Sequence, residues 1–154
     1  MTFNTSSIGA GATNLSAVLS IRGSLKSEGL GANEIHIAGS TQASNNSLAI
    51  SDFQNVGRTS FASIAQASYS TAVYNDFSLN ASGITNINKT GVSKFSAQLG
   101  WDLNNNFTGT WVSDADTLIR SYDADSAGTT NDPKLTITYT APPPTPKQDV
   151  IWFD

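Results

Sequence analysis

The sequence predicts an all-β fold, an antiparallel β-sandwich with one or two short helices, and three observations support this. Only 13% of the residues are charged, and the wealth of Ser, Thr, Asn and Gly suits short strands joined by turns. Apolar residues recur at every second position in several runs, as in half-buried strands. Clusters of turn-forming residues separate these runs, which is typical of β-sandwiches.

Six runs carry the alternation, in order along the chain. The first three predicted strands lie in ATNLSAVLSIRG, NEIHIAG and VYNDFSLN. The last three lie in VSKFSAQLGWD, DTLIRSYDA and PKLTITYT. The residues expected to point inward and form the core are Leu19, Ile21, Ile37, Phe77, Phe95, Leu99, Ile137 and Tyr139.

Two short helices are predicted between the strands. In NASGITNINKTGV, Asn80 or Ser82 can act as the N-cap of the first one. In NNSLAISDFQNVG, apolar residues recur with a similar spacing, from Leu48 and Ile50 to Phe53, and are likewise expected to point inward.

The order of these segments resembles the DNRLRE-type β-sandwich domains of bacterial surface proteins and phage virion proteins. The matching segments are FNTSSI, ATNLSAVLSI, NEIHIAGST, YNDFSLNASGITNINKTGVSKF and SAGTTNDPKLTITYT, which together span roughly residues 3–140. The resemblance implies a jelly-roll-like sandwich without catalysis, located in a virion or on an extracellular surface. Some related modules bind polysaccharides such as alginate. The family has no residue signature for a ligand that can be placed here, so no binding residue is carried over.

The composition changes once, at Ala141, and divides the chain into three parts. Residues 1–140 are expected to form the sandwich, 141–148 a proline-rich linker of polyproline II character, and 149–154 an apolar C-terminal docking peptide. The β-branched and aromatic residues of this peptide favour an added strand or an apolar plug. We expect it to dock on a neighbouring chain, with its own domain as the alternative, through Val150, Ile151, Trp152 and Phe153.

The N-terminus MTFNTSSIGAG lacks a charged start followed by an apolar run, so no signal peptide is predicted. Domains of the resembling family usually carry several tens of residues before the FNTSSI position. An early strand is therefore expected to be missing, supplied by another chain or lost to truncation.

Several partner classes are disfavoured by composition. The chain has no cysteine, which excludes disulfides and thiolate zinc sites. Its net charge is −4 and its basic residues are scattered, which argues against a nucleic-acid partner. No run approaches the ~20 apolar residues of a membrane span, so no membrane partner is expected.

The loop DLNNNFTGTWVSDAD begins with the D-x-N-x-N spacing of a calcium loop, and DADSAG offers two further carboxylates. The EF-hand pattern then fails, because Phe107 stands in place of the glycine and no Glu closes the loop. The alternative is that these Asn and Asp residues simply form turns. Calcium, if any cofactor binds, is expected at Asp102, Asn104, Asn106, Asp123 and Asp125.

Two aromatic residues in the same loop, Trp111 and Phe107, are the candidates for stacking on a sugar ring. The alternative is that they cover one end of the sandwich. The single histidine, His36, has only Glu34 as a nearby candidate partner, and no G-x-S-x-G nucleophile elbow is present. The sequence therefore predicts no enzymatic activity.

The sequence thus predicts a non-enzymatic structural or attachment protein of a phage-like virion, such as a decoration, fibre or head-attached protein. Its partners are expected to be other protein chains, either further copies in a homo-oligomer or virion neighbours. The alternative is a carbohydrate-binding module of a bacterial extracellular surface protein, with a polysaccharide as the ligand.

Overall fold

A computed structural model, which describes residues 1–124 and 127–144, shows an all-β sandwich of two antiparallel sheets. The predicted fold class is confirmed. The described residues form two short α-helices, α1 (Ala81–Thr85) and α2 (Gly100–Asn104). Their eight strands are β1 (Thr2–Asn4), β2 (Thr13–Glu28), β3 (Glu34–Gly39), β4 (Ala62–Ala65), β5 (Tyr74–Ser78), β6 (Val92–Leu99), β7 (Thr117–Ser121) and β8 (Lys134–Thr140).

The two sheets differ in how their strands are arranged. The first has the order β1-β6-β3-β4, so β1 and β4 are its edge strands. The second is built around β2, which spans 16 residues. One side of β2 pairs with β5, and the other pairs with β8 along its first half and with β7 along its second half. The length of β2 therefore lets one strand hold three neighbours.

The core lies between the sheets and is close to the one that alternation predicts. Most of the predicted residues are buried, namely Leu19, Ile21, Ile37, Phe77 and Phe95. Leu99 and Ile137 are half-buried and pack against this cluster. The prediction for Tyr139 is wrong, because 37% of this residue is exposed. It lies near the end of β8, an outer strand, where the pairing with β2 becomes irregular between Thr13 and Ser16.

Helix α1 begins where its N-cap was predicted. The Oδ1 of Asn80 accepts the backbone N–H of Gly83 at 3.1 Å, which satisfies one of the unpaired donors at the helix start. Of the two candidate caps, the structure shows Asn80 in this role.

The second predicted helix is a short 3₁₀ turn, Ile50–Gln54, and its orientation was predicted wrongly. Leu48, Ile50 and Phe53 are 77%, 94% and 88% exposed instead of pointing inward. The segment at residues 41–57 lies over the outer face of β6, where Lys94 donates to the Gln42 carbonyl oxygen at 2.6 Å. Because that face of β6 is polar, the apolar residues above it have no apolar surface to pack on.

Candidate functional site

The first sheet has an open edge beside the second half of β6. Strand β1 pairs with β6 only from Val92 to Lys94, and Met1 adds two backbone hydrogen bonds to Phe95, of 2.9 and 2.7 Å. Within residues 1–124 and 127–144, nothing pairs with this side of β6 beyond Phe95. Hydrogen-bonded pairs alternate along antiparallel strands, so the N–H and C=O of Ala97 point toward this open edge.

A groove with many apolar side chains runs along the open edge. One part, of about 550 Å³, is lined by Met1, Leu48, Ile50, Phe53, Val56, Phe95 and Ala97 among others. A second part, of about 820 Å³, is lined by both apolar and polar residues. The apolar ones include Leu99, Trp101, Phe107, Leu118 and Ile119, and the polar ones are Arg58, Gln98, Asp102, Asn105, Asn106 and Thr117. The two parts share Phe53, Val56 and Ala97, so they form one continuous surface, which we call the β6 groove. Contiguous exposed apolar surface of this kind marks an interaction site.

Asp52 holds in place the segment at residues 48–56, which forms the outer wall of the β6 groove. Its carboxylate accepts the N–H of Ala49 at 2.9 Å, the side-chain amide of Asn55 at 3.2 Å and the N–H of Ala43 at 3.4 Å. These hydrogen bonds, the one from Ala49 foremost, hold the pKa of Asp52 below its ordinary value of 3.8, because they favour the charged form. The exposed apolar side chains therefore sit on an ordered turn.

The structure brings Phe107 and Trp111 together and adds Trp101 beneath them. The ring centroids of Trp101 and Phe107 are 4.7 Å apart, and those of Phe107 and Trp111 are 5.0 Å apart. The indole N–H of Trp101 donates to the Thr108 hydroxyl at 3.0 Å, which fixes the lowest ring. Trp111 is 79% exposed. An exposed indole supported by two further rings can stack on the apolar face of a sugar.

His36 contacts two polar side chains on the outer face of β3. Its Nδ1 lies 2.8 Å from the Ser60 hydroxyl, and its Nε2 lies 3.3 Å from the Glu34 carboxylate. Sequence reasoning found Glu34 but missed Ser60, which is 24 residues away along the chain. A cleft of about 220 Å³ is lined by His36 and Glu34 and not by Ser60. The arrangement therefore does not present the serine to a substrate in that cleft.

The residues predicted to bind calcium are divided between helix α2 with the loop after it and the segment after β7. Asp102 and Asn104 belong to α2, and side chains two residues apart on a helix point about 200° apart. Asn106 follows the helix. Among the described residues, no three Asp, Glu, His or Cys side chains cluster as metal ligands would. Asp123 is described and Asp125 lies outside the described residues, so calcium binding stays a prediction.

The C-terminal docking peptide lies outside the described residues, which end at Pro144; its predicted contact residues are Val150, Ile151, Trp152 and Phe153. The first part of the linker is described, and Pro142 lies against Gly9 and Gly11. A Cβ added to Gly11 would come within 3.2 Å of the Pro142 ring. The linker therefore leaves the sandwich beside the turn that follows β1.

Comparison with known proteins gives no match to a protein-family model, a curated protein or a solved structure. The resemblance to DNRLRE-type domains therefore rests on the sequence segments given above. Among the helices of the described part of the chain, none has the length and apolar character needed to cross a membrane.

Proposed function

We propose that this protein is a non-enzymatic structural or attachment protein of a phage-like virion, such as a decoration, fibre or head-attached protein, and that it assembles through its C-terminal tail. The observation that carries the proposal is the β6 groove. It combines an unpaired strand edge with the exposed side chains of Leu48, Ile50 and Phe53. Both features favour association with another chain.

The composition of the tail supports the same proposal. Burial of Ile151, Trp152 and Phe153 would contribute about 1.5–3 kcal/mol for each side chain before the cost of ordering is subtracted. The proline-rich linker lowers that cost, because a semi-rigid spacer has less conformational freedom to lose than a glycine-rich one. The neighbours are other copies of the chain or other virion proteins, and the resemblance to virion and surface domains supports a location in a virion or on an extracellular surface.

Deletion of residues 141–154 tests this function. The full-length protein is expected to sediment as a multiple of its 16.2 kDa chain mass. The shortened protein should keep the β-sheet circular dichroism spectrum, because the sandwich core lies within residues 1–140, and it should sediment as a monomer. If the two proteins sediment as the same species, assembly through the tail is refuted.

A second candidate function, binding of a polysaccharide, is favoured by the aromatic cluster of Trp101, Phe107 and Trp111. For comparison, stacking of a nucleic-acid base on an aromatic side chain is worth about 1–3 kcal/mol for each base. On this reading the chain is a carbohydrate-binding module of an extracellular surface protein. The exposed Trp111 would supply the stacking face.

Glycan-array binding of a Trp111→Ala variant tests this second function. If the proposal holds, the substitution should weaken glycan binding about tenfold or more, because each 1.4 kcal/mol changes affinity tenfold. Tyr139→Ala is the matched control, since Tyr139 is a partly exposed aromatic residue on β8, away from this loop. Binding that is equally strong in both variants would remove Trp111 from the site.

A further inference from the structure

The geometry of the β6 groove points to one occupant, the C-terminal segment 150–153 of a second copy of this chain, bound as an added strand. In this inference the segment pairs with residues 96–99 of β6 through backbone hydrogen bonds and fills the groove with its side chains. The inference rests on the proposed assembly through the tail. It adds where the tail binds and which chain supplies it.

The backbone of β6 has unused hydrogen-bonding groups at this place. Phe95 exchanges two hydrogen bonds with Met1, so the groups of Ala97 face the same side two residues further on. The backbone N–H and C=O groups of Ser96 and Gln98 point to the other side of β6, where they pair with β3. No described residue continues β1 along this edge. An unpaired strand edge is the site at which an extended peptide adds to a sheet.

The walls of the groove fit a strand that is apolar on both faces. The inner wall lies between the sheets and includes Ala97, Leu99 and Ile119. The outer wall is the segment at residues 48–56, which lines the groove with Leu48, Ala49, Ile50, Phe53 and Val56 and with the polar Asp52. A strand with one wet face alternates apolar and polar residues, whereas a strand covered on both faces is continuously apolar. The segment at 150–153 reads Val-Ile-Trp-Phe without a polar residue, as a doubly covered strand requires.

The free stretch of β6 and the apolar tail segment also agree in length. The free part of β6 runs from Ser96 to Leu99, and α2 begins at the next residue. This stretch is about 13 Å long at about 3.3 Å per residue. The apolar tail segment 150–153 has the same number of residues and is bounded by Asp149 and Asp154, which would remain in water. Ala97 is exposed and small, which leaves room for a larger side chain beside it.

The start of the linker indicates that the tail comes from another copy. Pro142 lies against Gly9 and Gly11, and the N–H of Gly9 donates to the carbonyl of Lys89 at 3.0 Å. Lys89 closely precedes β6, so the linker departs from the end of the sandwich at which β6 begins. The free edge lies at the other end of the same strand.

The reach of the linker leaves little slack for binding within one chain. From Pro144 to Val150 a polyproline II chain extends about 19 Å, at about 3.1 Å per residue. The distance along β6 from Val92 to Ala97 alone is about 17 Å. Strand β1 already occupies the direct path beside this part of β6. A tail from a neighbouring copy is restricted neither by the length of this linker nor by the position of β1.

Substitution of Ala97 by lysine tests the edge in the full-length protein. A charge that points into the groove should block strand addition, as inward charges do at natural sheet edges. Ala97→Lys is therefore expected to sediment at the monomer mass of 16.2 kDa. Ala65→Lys is the matched control, because Ala65 is an exposed alanine on β4, the opposite edge of the same sheet, and should assemble normally. Thermal unfolding checks that both variants fold.

Disulfide formation between copies locates the tail even if the lysine variant fails to fold. The chain has no cysteine, so Ala97→Cys protein mixed with Val150→Cys or Ile151→Cys protein gives only introduced crosslinks. Neighbouring residues of a strand point to opposite faces. One of the two tail variants is therefore expected to crosslink to Ala97→Cys several-fold more than the other. Neither should crosslink to Ala65→Cys above background.

The outcomes separate this inference from the proposed function. If deletion of the tail gives monomers while Ala97→Lys stays assembled and no crosslink forms, the tail binds elsewhere and only the inference fails. If a chain with both Ala97→Cys and a tail cysteine crosslinks within itself as a monomer, the tail fills its own groove and the second copy is excluded. If deletion of the tail leaves the assembly unchanged, the proposed function fails as well.

Discussion

At the scale of single residues, Asn75 shows how a buried polar side chain completes the hydrogen bonding around β5. Its Nδ2 donates to the carbonyl oxygens of Ile21 and Ser70, at 3.1 and 2.9 Å, and its Oδ1 accepts the N–H of Ser70 at 2.6 Å. The residue is only 6% exposed. Replacement of its side chain by an apolar one would therefore leave backbone groups unsatisfied away from water.

We predict that Asn75→Ala lowers the free energy of unfolding by about 3 kcal/mol, because each orphaned buried group costs about 1–3 kcal/mol. Urea denaturation measures the loss. Asp76→Ala is the neighbouring control: Asp76 is exposed and accepts one hydrogen bond from the Ser20 hydroxyl at 2.6 Å, so its loss should cost less than about 1 kcal/mol. Equal losses in the two variants would show that burial of Asn75 does not matter.

Local alternation could predict the large core residues but not every inward position. Phe95 and Leu99 follow the predicted period, and the same period continues to Trp101. The strand, however, ends at Leu99, and Trp101 belongs to α2, where its ring contacts the ring of Phe107 edge to face. Asn75 was missed for the opposite reason, because a polar residue in a strand is normally assigned to the wet face. Both outcomes depend on tertiary neighbours that a period of two does not encode.

At the scale of elements, α1 was predictable and the turn at Ile50–Gln54 was not. The N-cap of α1 is a local signal, because the Asn80 side chain binds a backbone N–H three residues away. The orientation of Leu48, Ile50 and Phe53 depends instead on the strand below them. The sequence shows a cluster of apolar residues here, and only the structure shows that these side chains have nothing apolar beneath them.

Acid is expected to loosen this turn through Asp52. Its pKa in the folded protein is held below 3.8, so the stabilisation is present above pH 3.8 and is lost as the pH falls through the lowered value. The hydrogen-exchange protection factor of the Ala49 amide should therefore drop as the pH falls below 3.8. The drop should be absent in Asp52→Asn and retained in Asp114→Asn, because Asp114 lies away from this turn and accepts from the Ser113 hydroxyl. Protection that stays constant to pH 2 in the native protein would contradict this.

At the scale of the whole molecule, a contact between a tail and a groove joins two different surfaces of the chain. Mutual exchange of tails closes a dimer, whereas one-way donation builds a ring or a fibre. The net charge of −4 is small for a chain of 154 residues, so repulsion between copies is weak. Both arrangements are compatible with a decoration or fibre protein.

Composition and alternation were sufficient to predict the two-sheet architecture, because these signals are spread over the entire chain. They also identified the apolar tail as the unusual segment. They could not locate the β6 groove, since the free edge of β6 depends on how far β1 extends along it and on the path of residues 41–57. Those are properties of strand order and register, which no single run of the sequence encodes.

The central claim, that the tail completes the open edge of β6, is tested most directly by hydrogen exchange of the Ala97 amide in the full-length protein and in the protein that lacks residues 141–154. The amide of Ser96, which faces β3, is the internal reference and should exchange slowly in both. We predict that the Ala97 amide is protected in the full-length protein and exchanges at least tenfold faster without the tail. Equally fast exchange of Ala97 in both proteins would contradict the account.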